Sequence, residues 1–97
     1  MTTLHIVRQS VFNSDDFSQC IQVLGINDVI TFIDDGCYNL QHSLISTIDK
    51  SLNIQLTVIE QHANARAIAI DENIIAKITM KDLVTLTFAN NTVITWQ

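Results

Sequence analysis

Short runs of apolar, β-branched residues alternate along this chain with longer segments in which apolar residues recur every three or four positions. The first pattern is typical of buried strands and the second of helices that bury one face. The runs predict five strands, at residues 2–7, 29–33, 54–59, 74–78 and 93–96. The helical spacing predicts a helix ending near Leu24, a second ending near Lys50, a short one at residues 61–66, and a last one that carries Leu83 and Phe88.

Strands that alternate with helices predict an α/β fold with a mainly parallel sheet and helices on both faces. A chain of 97 residues has the length of one domain. We therefore expect residues 1–97 to form a single three-layer α/β/α domain around five strands. Thr79 and Asp82 have the spacing of a helix capping box. Residues 68–73 are ambiguous between the two patterns and carry no assignment.

The second predicted strand ends in two carboxylates, a glycine and a cysteine, Asp34-Asp35-Gly36-Cys37. Ligand contacts in open α/β sheets concentrate just past the carboxyl ends of strands. Asp34 and Asp35 are best interpreted as solvated turn residues that point apart, with Asp35 placed to cap the second helix. Cys37 is a candidate nucleophile, because a helix amino terminus lowers the pKa of a thiol. The two carboxylates raise that pKa, and we expect the effects roughly to cancel.

Cys20 lies in the apolar stripe of the first helix, with Phe17, Ile21 and Leu24. A buried thiol in such a stripe behaves as a small hydrophobic side chain, and burial raises its pKa. The pattern alone therefore favours a structural role for Cys20. Gly25 follows as the predicted stop signal of the helix.

Composition narrows the choice of partners and cofactors. The formal charge is −5 and the five basic residues are scattered, which argues against direct binding of nucleic acid. No apolar run reaches the length of a membrane span, and no signal peptide is seen. Two cysteines give no disulfide framework, so we expect a reduced, cytoplasmic protein. No metal-ligand spacing and no glycine-rich phosphate loop appear, so no metal or cofactor is expected.

Two further features bear on function. His5 lies alone within the first predicted strand, where a hydrogen-bonded structural histidine is more common than a catalyst. The hydrophobic fraction is 47%, which suggests either a well-filled core or a buried surface of association. The chain is expected to associate with itself or with related subunits.

Five segments, taken in order, resemble the TusB/DsrH family of small sulfur-relay proteins, which have a DsrE-like α/β fold. They are residues 4–7 with Ser10 and Phe12, residues 32–38, Ala65-Arg66, residues 82–87, and Trp96. Length, order and spacing agree from end to end. The chain departs from the family at Gln9 and Val11, where members often have a basic residue and a proline. The resemblance therefore gives no support for an anion contact by this loop.

The resemblance implies a subunit rather than an enzyme that is catalytic alone. Family members assemble with two related proteins, TusC and TusD or DsrF and DsrE, as a heterohexamer with two copies of each. Persulfide sulfur passes through the assembly, toward 2-thiolation of the wobble uridine in tRNA in the Tus branch and toward sulfur oxidation in the Dsr branch. The main sulfur-carrying cysteine belongs to the TusD or DsrE partner. Cys20 matches a cysteine of DsrH-like members, so the resemblance favours Cys20 whereas the helix-terminus argument favours Cys37.

Several functions stay open on the sequence. The favoured one is a structural partner of TusC/TusD-like subunits in tRNA thiolation. The alternatives are a DsrH-like subunit of sulfur oxidation in which Cys20 takes part in sulfur transfer, and a homo-oligomeric α/β binding module in which neither thiol is functional. A thiol enzyme acting alone would need an accessible cysteine of low pKa beside a base or a cation, and the sequence shows no convincing one.

Overall fold

The computed structural model describes all residues from 1 to 97, in which five strands and three α-helices alternate. The strands are β1 (Thr3–Val7), β2 (Val29–Phe32), β3 (Gln55–Ile59), β4 (Ala76–Ile78) and β5 (Thr92–Trp96). The α-helices are α1 (Asp16–Gln22), α2 (Glu60–Ala65) and α3 (Met80–Ala89). All five predicted strands are present, each within two residues of its expected ends.

The strands form one sheet in the order β4-β3-β2-β1-β5, and every neighbouring pair is parallel. The first three crossovers run in one direction across the sheet and the last runs back over its whole width. Because crossovers between parallel strands are right-handed, the first three connections cover one face and α3 covers the other. The predicted fold class is therefore confirmed, with a sheet that is entirely parallel.

Each face of the sheet has its own apolar cluster. The larger one has 11 buried residues, among them Phe17 of α1, Phe32 of β2 and Val58 of β3. The smaller one joins Leu83 of α3 to three strand residues on the opposite face. Since α3 alone covers that second face, much apolar side-chain surface stays in contact with water there.

The predicted second helix is wrong in type. Its place is taken by three short 3₁₀ segments, Asp34–Gln41, Ser43–Thr47 and Lys50–Leu52. The break at His42 has an identifiable cause, because its backbone is extended and its ring Nδ1 accepts the Leu44 N–H at 3.0 Å. Side chains that bond nearby backbone groups compete with the helical ladder. The apolar positions of this stretch still pack against the larger cluster, so the spacing was a correct sign of burial.

Three further predictions concern the ends of helices, and one of them is confirmed. The capping box is confirmed, since Thr79 Oγ1 accepts the Asp82 N–H and the Asp82 carboxylate accepts the Thr79 N–H. The role of Asp35 as a cap is wrong, because Ile33 is the residue that precedes the first 3₁₀ segment and no side chain caps it. Gly25 does not adopt the left-handed conformation of a helix stop; α1 ends at Gln22, three residues before it.

Candidate functional site

A set of charged side chains comes together just past the carboxyl ends of β1, β2 and β3. Arg8 follows β1, and its Nε donates to Asp34 Oδ2 at 3.1 Å. Asp34 follows β2, and its backbone N–H donates to Nδ1 of His62 on α2 at 3.0 Å. Arg66 Nε donates to Asp35 Oδ1 at 3.0 Å. The two adjacent carboxylates thus point apart, as predicted, but each is held by an arginine.

Gly36 allows this turn to lie directly against the end of β1. A Cβ at this position would lie 2.0 Å from the carbonyl oxygen of Val7, so only glycine fits. The same carbonyl accepts the Ile33 N–H at 3.1 Å, and the Gly36 N–H donates to the Ile33 carbonyl at 2.8 Å. The turn is therefore fixed by close backbone contact, and it positions the residue that follows it.

That residue is Cys37, whose side chain is turned inward. It is fully buried in the larger apolar cluster, and its Sγ lies 3.9 Å from the Phe32 carbonyl oxygen. Burial raises the pKa of the Cys37 thiol to about 11; the Arg66 guanidinium lowers it, and the Asp34 and Asp35 carboxylates raise it again. The expected cancellation fails because desolvation, which the sequence does not show, exceeds the other effects.

Cys20 is also fully buried, between α1 and the sheet, as its place in the apolar stripe predicted. Burial, with a further contribution from the Asp28 carboxylate, raises the pKa of the Cys20 thiol to about 12. Both cysteines are free thiols. Neither candidate residue combines solvent access with a stabilised thiolate, which a nucleophile or sulfur acceptor requires.

A buried polar network lies beside Cys20. The Trp96 indole N–H donates to His5 Nδ1 at 3.1 Å, so the other ring nitrogen carries the hydrogen and donates to Asp28 Oδ2 at 3.0 Å. Asp28 also accepts the N–H groups of Thr3 and Gly25. Burial would raise the pKa of Asp28, but these donors outweigh it and hold the pKa below its usual value. Both nitrogens of His5 are hydrogen-bonded and its ring is buried, as expected of a structural histidine.

Side chains of the same chain accept two backbone N–H groups of the loop after β1, those of Val11 and Phe12. Asn39 is fully buried; its Oδ1 accepts the Val11 N–H at 2.7 Å and its Nδ2 donates to the Gln9 carbonyl at 3.0 Å. Ser10 Oγ accepts the Phe12 N–H at 3.1 Å. These N–H groups are therefore not free to hold an anion. The sequence reasoning missed Asn39, whose only signal was a polar residue between apolar neighbours.

One cleft, of about 340 Å³, opens at the amino end of β3. Its apolar walls come from the 3₁₀ stretch, from β3 and the residue before it, and from a residue before β4: Ile45, Ile48, Ile54, Leu56 and Ile74. Its polar lining consists of Ser46, Asp49, Lys50 and Asn53. No cysteine or histidine lines it, so it is separate from both thiols.

A metal cluster, a buried polar atom without a partner and a membrane-spanning helix are all absent from the structure. No group of three or more His, Cys, Asp or Glu side chains is arranged to hold a metal ion. Every buried side-chain nitrogen and oxygen has a hydrogen-bond partner, so no orphaned polar atom points to a missing ligand. None of the helices combines the length and the apolar character needed to cross a membrane.

Comparison with known proteins agrees with this fold. A family model described as "DsrH like protein" matches residues 9–93. The crystal structure of the YchN protein from E. coli is similar with a TM-score of 0.76, over 99% of this chain and 100% of that chain, at 13% sequence identity. Identity this low shows a shared fold and no more. No curated protein matches the sequence.

Proposed function

This chain belongs to the DsrH-like family, which confirms the resemblance drawn from its sequence, and we propose that it serves as a structural subunit of a sulfur-relay complex. In this proposal its partners are TusC/TusD-like subunits, in a heterohexamer with two copies of each. The complex passes persulfide sulfur toward 2-thiolation of the wobble uridine in tRNA. The chain itself holds the assembly together in the cytoplasm and is not catalytic alone.

The observation that carries the proposal is the burial of both thiols away from solvent. Cys20 and Cys37 are fully buried, and their pKa values are raised to about 12 and about 11. At neutral pH a thiol with a pKa near 11 is ionised in only about one molecule in 10⁴. Receiving persulfide sulfur takes an exposed thiolate, so the sulfur-carrying cysteine is assigned to another subunit.

The distribution of charge supports an indirect relation to tRNA. Three of the five basic side chains are already paired with carboxylates: Arg8 with Asp34, Arg66 with Asp35, and Lys77 with Glu60 and Glu72. With a formal charge of −5, the surface repels a phosphate backbone. Contact with tRNA is therefore left to a partner.

The alternative, in which the chain is a subunit of sulfur oxidation, assigns sulfur transfer to Cys20. It requires α1 to move away from the sheet, because the thiol packs beneath it with Phe17. It also requires the nearby Asp28 carboxylate to tolerate a second negative charge. Both requirements count against this alternative.

The test is a reconstituted complex that contains the Cys20→Ser, Cys37→Ser double variant. We expect normal assembly and normal transfer of sulfur to tRNA, measured as 2-thiouridine by mass spectrometry. Serine in place of a buried thiol costs about 1–3 kcal/mol if its hydroxyl finds no partner. Ala63→Ser, which also places a hydroxyl at a fully buried site, is the matched control for that cost.

A complex that assembles with the double variant but no longer transfers sulfur would refute the structural role. The single variants would then show which thiol carries sulfur. If the purified chain binds no TusC/TusD-like subunit at all, the homo-oligomeric binding module replaces the sulfur-relay proposal.

A further inference from the structure

The two edges of the sheet differ in how they meet solvent. The β4 edge has only three residues, and its Lys77 makes ion pairs at 3.0 Å with both Glu60 and Glu72. A short edge strand with a central lysine is a common protection against pairing with another chain. The β5 edge has five residues, Thr-Val-Ile-Thr-Trp, with no charge, proline or glycine, and its first four residues are exposed. It lacks every one of these protections.

The backbone of β5 leaves a regular set of unpaired groups on its outer side. The Thr92 N–H bonds to the Thr2 carbonyl and the Trp96 carbonyl accepts the Arg8 N–H. Because alternate residues of a parallel strand bond to the same neighbour, Ile94 also faces β1. Val93 and Thr95 therefore direct both their N–H and their carbonyl groups outward, where no strand of this chain lies.

We propose that this edge pairs with the β5 edge of a second copy of the chain, antiparallel, across a two-fold axis through Ile94. In that register Val93 lies opposite Thr95 of the second copy, and each pair exchanges two hydrogen bonds. All the outward groups of Val93 and Thr95 are then satisfied. A register centred on Val93 or on Thr95 would leave some of the outward N–H and carbonyl groups of these two residues without a hydrogen-bond partner in the second copy.

Charge explains why a second copy fits this edge. Two chains that each carry a formal charge of −5 repel one another, so self-association is favoured at a surface that brings no further like charges together. No residue from Thr92 to Trp96 is charged. A two-fold axis therefore brings no charged strand residues face to face, whereas the same operation at β4 would face Lys77 with its copy.

Apolar side chains next to the edge add area to the strand pairing. Val93 and Ile94 are 41% and 36% exposed, and Phe88, in the last turn before β5, is 85% exposed. A two-fold axis perpendicular to the sheet places both copies of α3 on the same face, on either side of the new strand pair. A stable interface buries about 1,000 Å² or more in total, and five paired residues need such neighbours to reach it.

The test combines a cross-link with a strand variant. In the proposed register the two Ile94 residues form a non-hydrogen-bonded pair, whose Cα atoms lie about 4.5 Å apart, within disulfide range. Under mild oxidation we expect Ile94→Cys to give a covalent dimer on non-reducing gels. Ile74→Cys is the matched control, because Ile74 is an exposed isoleucine before the opposite edge strand. The native thiols are buried and give no background.

Thr95→Pro removes an outward N–H that β1 does not use, a position where an edge strand tolerates proline. It deletes two hydrogen bonds across the two-fold axis, and we expect the dimer to weaken by about tenfold or more in sedimentation equilibrium. Thr95→Val keeps the N–H and should leave the dimer unchanged. If Thr95→Pro fails to fold by circular dichroism, the cross-link still decides.

This inference concerns assembly alone and does not rest on sulfur relay. A wild-type chain that stays monomeric at several hundred micromolar, or that pairs only with a different subunit, overturns it. So does a dimer in which Ile94→Cys forms no more cross-link than Ile74→Cys. A dimer without sulfur transfer would leave the inference standing while the proposed function fell.

Discussion

The same substitution, glycine to alanine, should have opposite effects at the two glycines of this chain. At Gly36 the new methyl group would lie 2.0 Å from the oxygen and 2.8 Å from the carbon of the Val7 carbonyl. These are backbone atoms, so no side chain can turn aside. The turn must move by about 1 Å, which disturbs the Ile33 and Gly36 N–H bonds and the packing of Cys37. Two hydrogen bonds at about 1 kcal/mol each and an overpacking cost of about 1–3 kcal/mol give about 3–5 kcal/mol.

At Gly25 the new methyl group meets nothing closer than Asp28 Oδ2, at 3.5 Å. That distance is ordinary van der Waals contact, and Gly25 does not have a positive φ. Its N–H bond to Asp28 is kept, since alanine has the same backbone donor. Alanine also restricts the unfolded chain, so Gly25→Ala should stabilise the protein by about 0.4–1 kcal/mol.

Urea unfolding measures both effects, with the single tryptophan, Trp96, as the fluorescent reporter. In a domain of this size 1 kcal/mol shifts the melting temperature by about 4–8 °C, so Gly36→Ala should lower it by about 12 °C or more. A change of less than 1 kcal/mol for Gly36→Ala would refute the close approach of this turn to β1. A loss of stability with Gly25→Ala would refute the space assigned to that methyl group.

Three other measurements probe the thiols, the buried network and a helix cap. Iodoacetamide should leave Cys20 and Cys37 of the native protein unmodified at neutral pH. Burial raises the pKa values of these thiols from 9.0 to about 12 and about 11, so the stability that they contribute is complete below pH 9 and is lost as pH rises toward 11–12. Rapid labelling of the native protein at pH 7, or unfolding free energy that rises above pH 9, would contradict this burial. Trp96→Phe leaves the buried Nδ1 of His5 without its donor and should cost about 1–3 kcal/mol in thermal or urea unfolding, whereas a neutral result would show that water replaces the indole. Thr79→Ala should cost about 1 kcal/mol and Thr79→Ser almost nothing, and equal losses in the two variants would assign the effect to something other than the cap.

The fold was predictable because its strands carry a local signal. β2 is buried along its whole length, and its mainly apolar run, rich in Val, Ile and Phe, indicated a strand covered on both faces. The 3₁₀ stretch was not predictable in the same way. Its apolar residues have helical spacing, but the backbone follows the side chains of Asn39 and His42, which bond groups outside the helical ladder. Periodicity reports which positions are buried and not which backbone bonds form.

The chemistry of the candidate site was less predictable than the fold. The position of Cys37 after β2 was correct, and so was the direction in which Asp34 and Asp35 shift the pKa of its thiol. The charge that lowers this pKa belongs to Arg66, which the sequence did not place beside Cys37. Its burial depends on Gly36 lying against β1, which is a tertiary contact between residues about 30 positions apart. For Cys20 the apolar stripe was sufficient to predict burial, because the spacing of apolar residues along α1 identifies the helix face that packs on the sheet. The same property, thiol burial, was therefore accessible from sequence for one cysteine and not for the other.

The surface has two contrasting regions. Charged side chains past the carboxyl ends of the strands pair with one another, whereas apolar side chains on the α3 face have no partner in this chain. In the first region Arg8 and Arg66 each pair with a carboxylate at a partly exposed site, and such pairs stabilise a protein by about 0–1 kcal/mol. On the α3 side Val84 and Phe88 remain 53% and 85% exposed, and complete burial of one such side chain contributes about 1.5–3 kcal/mol. The free energy available for association therefore lies on the α3 face beside β5. We therefore expect the proposed assembly to use that face.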